Sequence, residues 1–413
     1  MQLKVDITKK LRNFTLHANF TMQDEVFALL GASGCGKSMT LKCIAGLATP
    51  DSGHIELDGQ VLYDSAQGID LPPQARHIGY LFQSYALFPN MTIRENIRFV
   101  AVGTPEEKEQ KIAAGLRRFH LEELADAYPA ELSGGQQQRA ALARILAADA
   151  KLLLLDEPFS ALDNYLKWQL ELELLDVLQA YNGAAIFVSH DRGEVYRLAD
   201  RAAVISRGQM EAPRRRQELF HNPGTLAATV LTGCKNVSAA QVTDQSNAVV
   251  TTAEFSSTAS SAVENIGQQS GGMSQVEATD WQLMLQVETV PRFVRYVGIR
   301  AHFLAFCASG DVTQVEAAQT YRNALAQGGG DEAAADAVQR PIVPANIQRL
   351  QVTRVIEDVF SYLVMVRRAG APEARPLRWE LPKADWHHIA PTLPPDQTLW
   401  LYFPPDKIML MEQ

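Results

Sequence analysis

The residues most able to do chemistry lie in Gly31-Ala32-Ser33-Gly34-Cys35-Gly36-Lys37-Ser38, which has the spacing G-x-x-x-x-G-K-[ST]. Glycines at these positions let the backbone bend until successive N–H groups point inward at phosphate oxygens. A helix starting at the end of the loop adds its partial positive charge. Lys37 is placed to reach β- and γ-phosphates, and Ser38 to offer a hydroxyl to Mg²⁺, with Met39 next on the helix start. Cys35 sits near that helix start and Lys37, both of which lower a thiol's pKa. Its alkylation is therefore expected to block nucleotide binding, and bound nucleotide to protect it.

Further along, Leu152-Leu153-Leu154-Leu155 ends in Asp156 and Glu157. Asp156 can hold Mg²⁺ directly or through water, and Glu157 can orient or deprotonate a water attacking a γ-phosphate. The apolar run Ala185 to Ser189 ends in His190, a neutral donor for a γ-phosphate. Ile78 to Phe82 ends in Gln83, whose amide suits Mg²⁺ and the attacking water, although a surface amide is the plainer reading of a lone glutamine. Ser133-Gly134-Gly135-Gln136 opens an Ala- and Leu-rich helical pattern, with Ser133 as N-cap and a second anion site at the helix start. Phe14 offers a flat face to an adenine ring or is a core aromatic, and both readings stand.

Chemistry at these positions requires strands that end where the reactive residues begin. Val26 to Leu30, before the glycine-rich loop, is such a run, and Met39 to Ala45 after it reads as a helix stopped by Gly46. Continuous apolar runs suit parallel strands covered on both faces, so the fold class is α/β. Ligands in such folds bind at the carboxyl ends of the strands, where His190 falls. Leu3 to Thr8 and Phe14 to Phe20 alternate like half-buried antiparallel strands. Polar helix is expected from Pro105 to about Ala127, and further helices over Arg139 to Ala148 and Tyr165 to Gln179. Tyr85, Leu87, Phe88, Pro89 and Met91 are apolar for a loop and read as a protein-binding surface, or else a local mini-core.

At 413 residues the chain is expected to hold two or three domains. A net charge of −9 argues against nucleic acid as a partner. The start, Met1 to Asp6, has no apolar h-region, and no apolar run is long enough to cross a bilayer. The four cysteines are scattered without metal-ligand spacing, which fits a reducing cytoplasm, so the sequons at Asn13, Asn19, Asn90 and Asn236 are read as chance.

These motifs in this order resemble the nucleotide-binding subunits of ATP-binding cassette (ABC) transporters. The resemblance covers roughly residues 1 to 231 and rests on the phosphate loop, Gln83, the signature LSGGQQQR from Leu132, LLLLDEP from Leu152, SALD from Ser160 and His190. It implies a P-loop cassette: a RecA-like core with an antiparallel β-subdomain and a helical subdomain at about 88–150. It also implies an ATPase using ATP and Mg²⁺, with Glu157 as general base, His190 as γ-phosphate sensor and Asp163 as a cross-dimer communicator. Two copies would pair head to tail. Each ATP would then lie between one phosphate loop and the partner copy's signature residues Ser133, Gly134, Gly135 and Gln136. Gln83 and the Tyr85 to Met91 stretch would receive a membrane permease at the cytoplasmic face, fed by an extracytoplasmic solute-binding protein. The segments LRNFTLHANF, GYLFQSYALFPNMTIRENI and LTGCKN most resemble the molybdate/tungstate and sulfate importer ATPases. Iron, polyamine and sugar importers remain open, and a soluble cassette ATPase acting on ribosomes or DNA is a different-class alternative.

From residue 232 to 413 the character changes. Ser246 to Gly272 and Gly328 to Ala337 are low in complexity, and short strand-like runs between and after them suggest a small β-barrel or sandwich. Tyr296-Val297-Gly298-Ile299-Arg300 resembles a segment of the oligonucleotide/oligosaccharide-fold-like regulatory domains (TOBE-like) of some importer ATPases. Arg292, Arg295, Arg300 and Arg354 are read as surface arginines, and no binding site is assigned there.

Overall fold

The computed structural model describes residues 1–160, 164–181, 183–244, 273–288, 290–291, 293–307 and 343–412. Asp163, Arg292 and the two low-complexity stretches lie outside the described residues. The chain divides into the compact units Met1–His221 and Asn222–Gln413, with the helix Leu226–Leu231 in the second.

A 12-stranded sheet runs through the first unit. Its order is Ile69–Asp70, Gln60–Asp64, Ser52–Leu57, Leu3–Lys10, Thr15–Met22, Gln209–Met210, Arg201–Ser206, Val26–Leu30, Ala184–Ser189, Leu152–Asp156 and Ile78–Leu81, with Arg214–Arg215 paired to Arg201–Ser206. The antiparallel half alternates as its sequence does: Leu3, Val5 and Ile7 are buried while Lys4 and Asp6 face water. In the parallel half, Leu152–Asp156 and Ala184–Ser189 are buried at every position. Helices or other strands cover both faces there, which is what a continuous apolar run demands. One core joins the two halves, from Leu3 and Phe20 through Leu41 and Ile44 to Leu154 and Val188.

Register brings the carboxyl ends of neighbouring parallel strands to one level: Leu81 pairs with Leu155, Asp156 with Val188, and Leu30 with Ser189. The residues that follow each strand therefore meet along one edge. The helix after the phosphate loop, Lys37–Ala45, is anchored by the buried Arg76. This guanidinium donates to Cys43 O and Ile44 O at 2.9 Å and pairs with Asp70 at 2.8 Å, a cation at the carbonyl end of the helix.

Three helices pack on one another, each opened by a capping box: Ile93–Val100 from Thr92 and Glu95, Pro105–Arg118 from Thr104 and Glu107, and Gly134–Ala147 from Ser133 and Gln136. The second stops at Arg118 instead of running to Ala127, because His120 turns left-handed with φ 53°. The third starts at Gly134, ahead of the expected Arg139, because its cap lies in the glycine pair itself.

In the second unit the described strands form two five-stranded antiparallel sheets, a small β domain. Alternate residues of both, among them Leu283, Leu285, Val297, Leu350, Val364, Trp379 and Leu401, enclose a single core.

Candidate functional site

Four neighbouring strand ends supply the site: Leu30 leads into the phosphate loop, Leu81 into Gln83, Asp156 into Glu157, and Ser189 into His190. The loop is closed tightly. A Cβ on Gly31 would lie 2.5 Å from Ile205 O and 2.6 Å from Cys35 Sγ, and Gly36 holds φ 117° as the helix N-cap. Ala32, Ser33 and Gly34 are exposed at the rim, and Met39 is half-buried on the helix start. Lys37 is buried, and its Nζ donates to Gly31 O at 2.8 Å and Ala32 O at 3.0 Å. Two of the three ammonium donors thus grip the loop from inside.

Ser38 Oγ donates to Asp156 Oδ1 at 2.7 Å, and Tyr80 OH donates to Asp156 Oδ2 at 3.0 Å. A hydroxyl and a carboxylate in contact form an oxygen donor set that suits a hard cation such as Mg²⁺. Burial and the neighbouring Asp156 carboxylate push the Tyr80 phenol far above its usual range, so it stays a donor. Gln83 is exposed and donates through Nε2 to Ser160 Oγ at 3.4 Å, while Ser160 Oγ donates to Glu157 O at 3.2 Å. Glu157 itself takes the left-handed angle φ 48°, a strained setting for a non-glycine residue. Its Oε2 lies 3.6 Å from His190 Nδ1.

Around His190 the backbone is pinned. Lys167 Nζ bonds Asp191 Oδ2 at 2.5 Å and Glu194 Oε1 at 2.6 Å, and Ser189 Oγ donates to Glu194 Oε2 at 2.6 Å. Ser189, Asp191 and Glu194 bracket the histidine in the chain, so helix Asn164–Ala180 fixes the strand end from which it projects.

The structure therefore gathers Lys37, Ser38, Asp156, Glu157 and His190 on one edge, with Gln83 tied in through Ser160. Phe14 is half-buried, packed beside the loop with its Cε2 3.6 Å from where a Cβ of Gly36 would stand. Ser133, Gly134, Gly135 and Gln136 form their own turn: Ser133 N donates to Gln136 Oε1 at 2.9 Å and Gln136 N to Ser133 Oγ at 3.4 Å. Ser133 and Gly134 are exposed, and Gly135 is buried.

Two expectations change. Cys35 is buried, and burial pushes its thiol up despite the opposing charge of Lys37 and the hydrogen bond from the Lys37 amide. It is not an activated thiol. Tyr85 is also buried, with its phenol pushed up by burial, so the apolar loop is in part a mini-core rather than wholly an outward surface.

Sequence reasoning passed over Tyr80, Gln138, Arg144 and Lys167. Arg144 stands in the Ala- and Leu-rich second half of the signature helix, which hinted at burial, whereas Gln138 lies among other polar residues. Gln138 and Tyr80 carried no such hint.

A family model described as ABC transporter matches residues 15–160. The chain is 40% identical to the sulfate/thiosulfate import ATP-binding protein of Mannheimia succiniciproducens over 267 residues, 62% of this chain and 72% of that protein. It is 40% identical to the Fe(3+) ions import ATP-binding protein of Haemophilus influenzae (56% of this chain, 66% of that protein). It is 38% identical to the molybdenum import ATP-binding protein of Paramagnetospirillum magneticum (54% and 61%). Cassette motifs in order, the strand-end geometry and these relatives lead to one conclusion: the chain belongs to the ATP-binding cassette family of transporter ATPases.

Proposed function

We propose that the chain is the ATP-hydrolysing subunit of an importer, acting peripherally at the cytoplasmic face of the cell membrane on a permease for a small oxyanion, molybdate/tungstate or sulfate. The observation that carries the ATPase part is the meeting of Lys37, Ser38, Asp156, Glu157 and His190 on one strand-end edge. Lys37 and the loop amides Gly31 to Ser38 bind the phosphates of ATP, with Phe14 against the adenine. Ser38, Asp156 and Gln83 would hold Mg²⁺, which when bound would neutralise charge on the phosphate oxygens. Glu157 takes the proton from the attacking water as the water oxygen bonds to the γ-phosphorus and the bond to the ADP oxygen breaks. His190 donates a hydrogen bond to the γ-phosphate.

Ser133, Gly134, Gly135 and Gln136 of a second copy complete each site, with Asp163 linking the two sites, so ATP holds a head-to-tail dimer together. A solute-binding protein delivers cargo to the permease from outside, and residues 232 to 413 form a TOBE-like regulatory domain. No helix among the described residues is long and apolar enough to cross a membrane, in keeping with a separate permease. For the solute, support comes from relatives named for sulfate/thiosulfate and molybdenum import, beside others named for iron and putrescine. Uptake of labelled molybdate, sulfate, iron and putrescine by cells with and without the gene tests it: a loss confined to the oxyanions is expected. An intact oxyanion uptake with lost iron or putrescine uptake would replace the solute class and leave the ATPase standing.

A further inference from the structure

Arg144, on the signature helix, is buried yet bonds backbone rather than an acid: Nη1 donates to Ala86 O at 2.7 Å and Nη2 to Tyr85 O at 3.0 Å. Its guanidinium carbon also stands 5.5 Å from the centre of the Phe88 ring. The two residues it grips are both left-handed, Tyr85 with φ 62° and Ala86 with φ 45°. Non-glycine residues keep such angles only when the surroundings hold them. Tyr85 N donates to Phe82 O at 2.8 Å, closing a turn whose corners are Gln83 and Ser84. The same helix grips this turn a second time, because Tyr85 OH donates to the fully buried Gln138 Oε1 at 3.4 Å. Gln138 Nε2 in turn donates to Pro158 O, next to Glu157. At the far end of the loop, the buried Asn96 accepts from Phe88 N at 2.8 Å and donates to Phe88 O and Met91 O at 3.1 Å.

We propose that Arg144 is a positioning residue for Gln83: by clamping Tyr85 and Ala86 in left-handed conformation it sets the turn that carries Gln83 to Ser160 beside Glu157, tying that turn to the signature helix. The proposal rests on the ATPase reading above. A lysine at 144 keeps the charge but cannot reproduce the planar fork that serves two carbonyls. The turn then loosens and Gln83 loses its place, while Lys37 and the phosphate loop are untouched.

The test is a double-mutant cycle in the full chain, reading kcat of ATP hydrolysis, affinity for a fluorescent ATP analogue and the melting temperature. R144K is expected to lower kcat ~10-fold, with affinity for the Mg²⁺-free analogue within about twofold of the parent. In the Gln83→Ala background the same change should cost less than about twofold, because a residue acting through Gln83 has nothing left to position. Ala86→Gly takes the left-handed angle freely and should recover kcat of R144K by ~3-fold or more. That background also serves if R144K alone does not fold. Losses that multiply between R144K and Gln83→Ala, an R144K kcat equal to the parent's, or no recovery with Ala86→Gly would overturn the proposal. Absent turnover in the parent chain would instead show that the ATPase reading had failed, and the clamp with it.

Discussion

Glu157 Oε2 and His190 Nδ1 stand 3.6 Å apart, at the ends of neighbouring strands whose register pairs Asp156 with Val188. The carboxylate is the sheltered partner, its side chain 18% exposed against 60% for the imidazole. Glu157 holds its left-handed angle, φ 48°, at the first position past the strand Leu152–Asp156. The pair thus offers a proton acceptor beside a donor.

Glu157→Gln keeps the shape and removes the proposed base. ATP hydrolysis is expected to fall roughly 100- to 1,000-fold, the usual worth of a general base, while ATP still binds. Size-exclusion chromatography with ATP should then show a trapped dimer. A monomer with unchanged turnover would contradict both the base assignment and the shared site.

Asp156 receives two hydroxyl donors, Ser38 at 2.7 Å and Tyr80 at 3.0 Å. Tyr80→Phe removes one of them without touching a phosphate contact. With Asp156 in its proposed role as a Mg²⁺ ligand, half-maximal ATPase is expected to need ~10-fold more Mg²⁺, the usual effect of losing a partner behind a metal ligand. Titration of turnover with Mg²⁺ at saturating ATP measures it, and an unchanged curve refutes it.

Burial raises the Cys35 thiol, and Lys37 lowers it less than burial raises it. Alkylation by iodoacetamide at neutral pH is therefore expected to be slower than that of a free thiol. Its rate should climb only above the ordinary thiol range, since the thiolate is the nucleophile. Mass spectrometry of the labelled loop over a pH series checks this. Fast labelling at pH 7 would restore the activated-thiol reading.

Lys167→Met leaves the buried Glu194 carboxylate without its cation. Removing one partner of a buried pair commonly costs 3–5 kcal/mol, and the partial exposure of Lys167 and Asp191 lowers the expected loss to about 2 kcal/mol. The loss should depend on pH. Burial raises the Asp191 carboxyl, but hydrogen bonds from Lys167 and the Gly193 amide bring it below its ordinary value. A carboxyl so depressed contributes its stability in full above the unfolded value, about 3.9, and loses it as pH falls through the folded one. The gap in melting temperature between parent and variant is thus expected at pH 7 and to shrink below about pH 4. A gap independent of pH would show that packing, not charge, is what Lys167 supplies.

The chemistry-bearing residues were legible because each lies at the end of an apolar run or in a glycine spacing, signals contained within a few neighbours. Leu152 to Asp156 is buried throughout, as a run of that kind requires, and Ser133 caps its helix as its type suggests. The contacts that orient these residues were not legible. Tyr80 reaches Asp156 across 76 positions, Arg144 reaches Tyr85 across 59, and Lys167 reaches Asp191 across 24. Nothing in the local pattern of either partner announces the other, because sheet order and helix packing choose them. Cys35 shows the same limit from the opposite side. The helix start and Lys37 are visible in the sequence, but not that Cys35 joins the core with Ile205 of the strand Arg201–Ser206, whose Ile205 O would lie 2.5 Å from a Cβ on Gly31. Residue types and spacing decided which reaction this edge can run. Long-range packing decided which groups are desolvated, paired and held in strained angles, because burial and register belong to the folded chain alone.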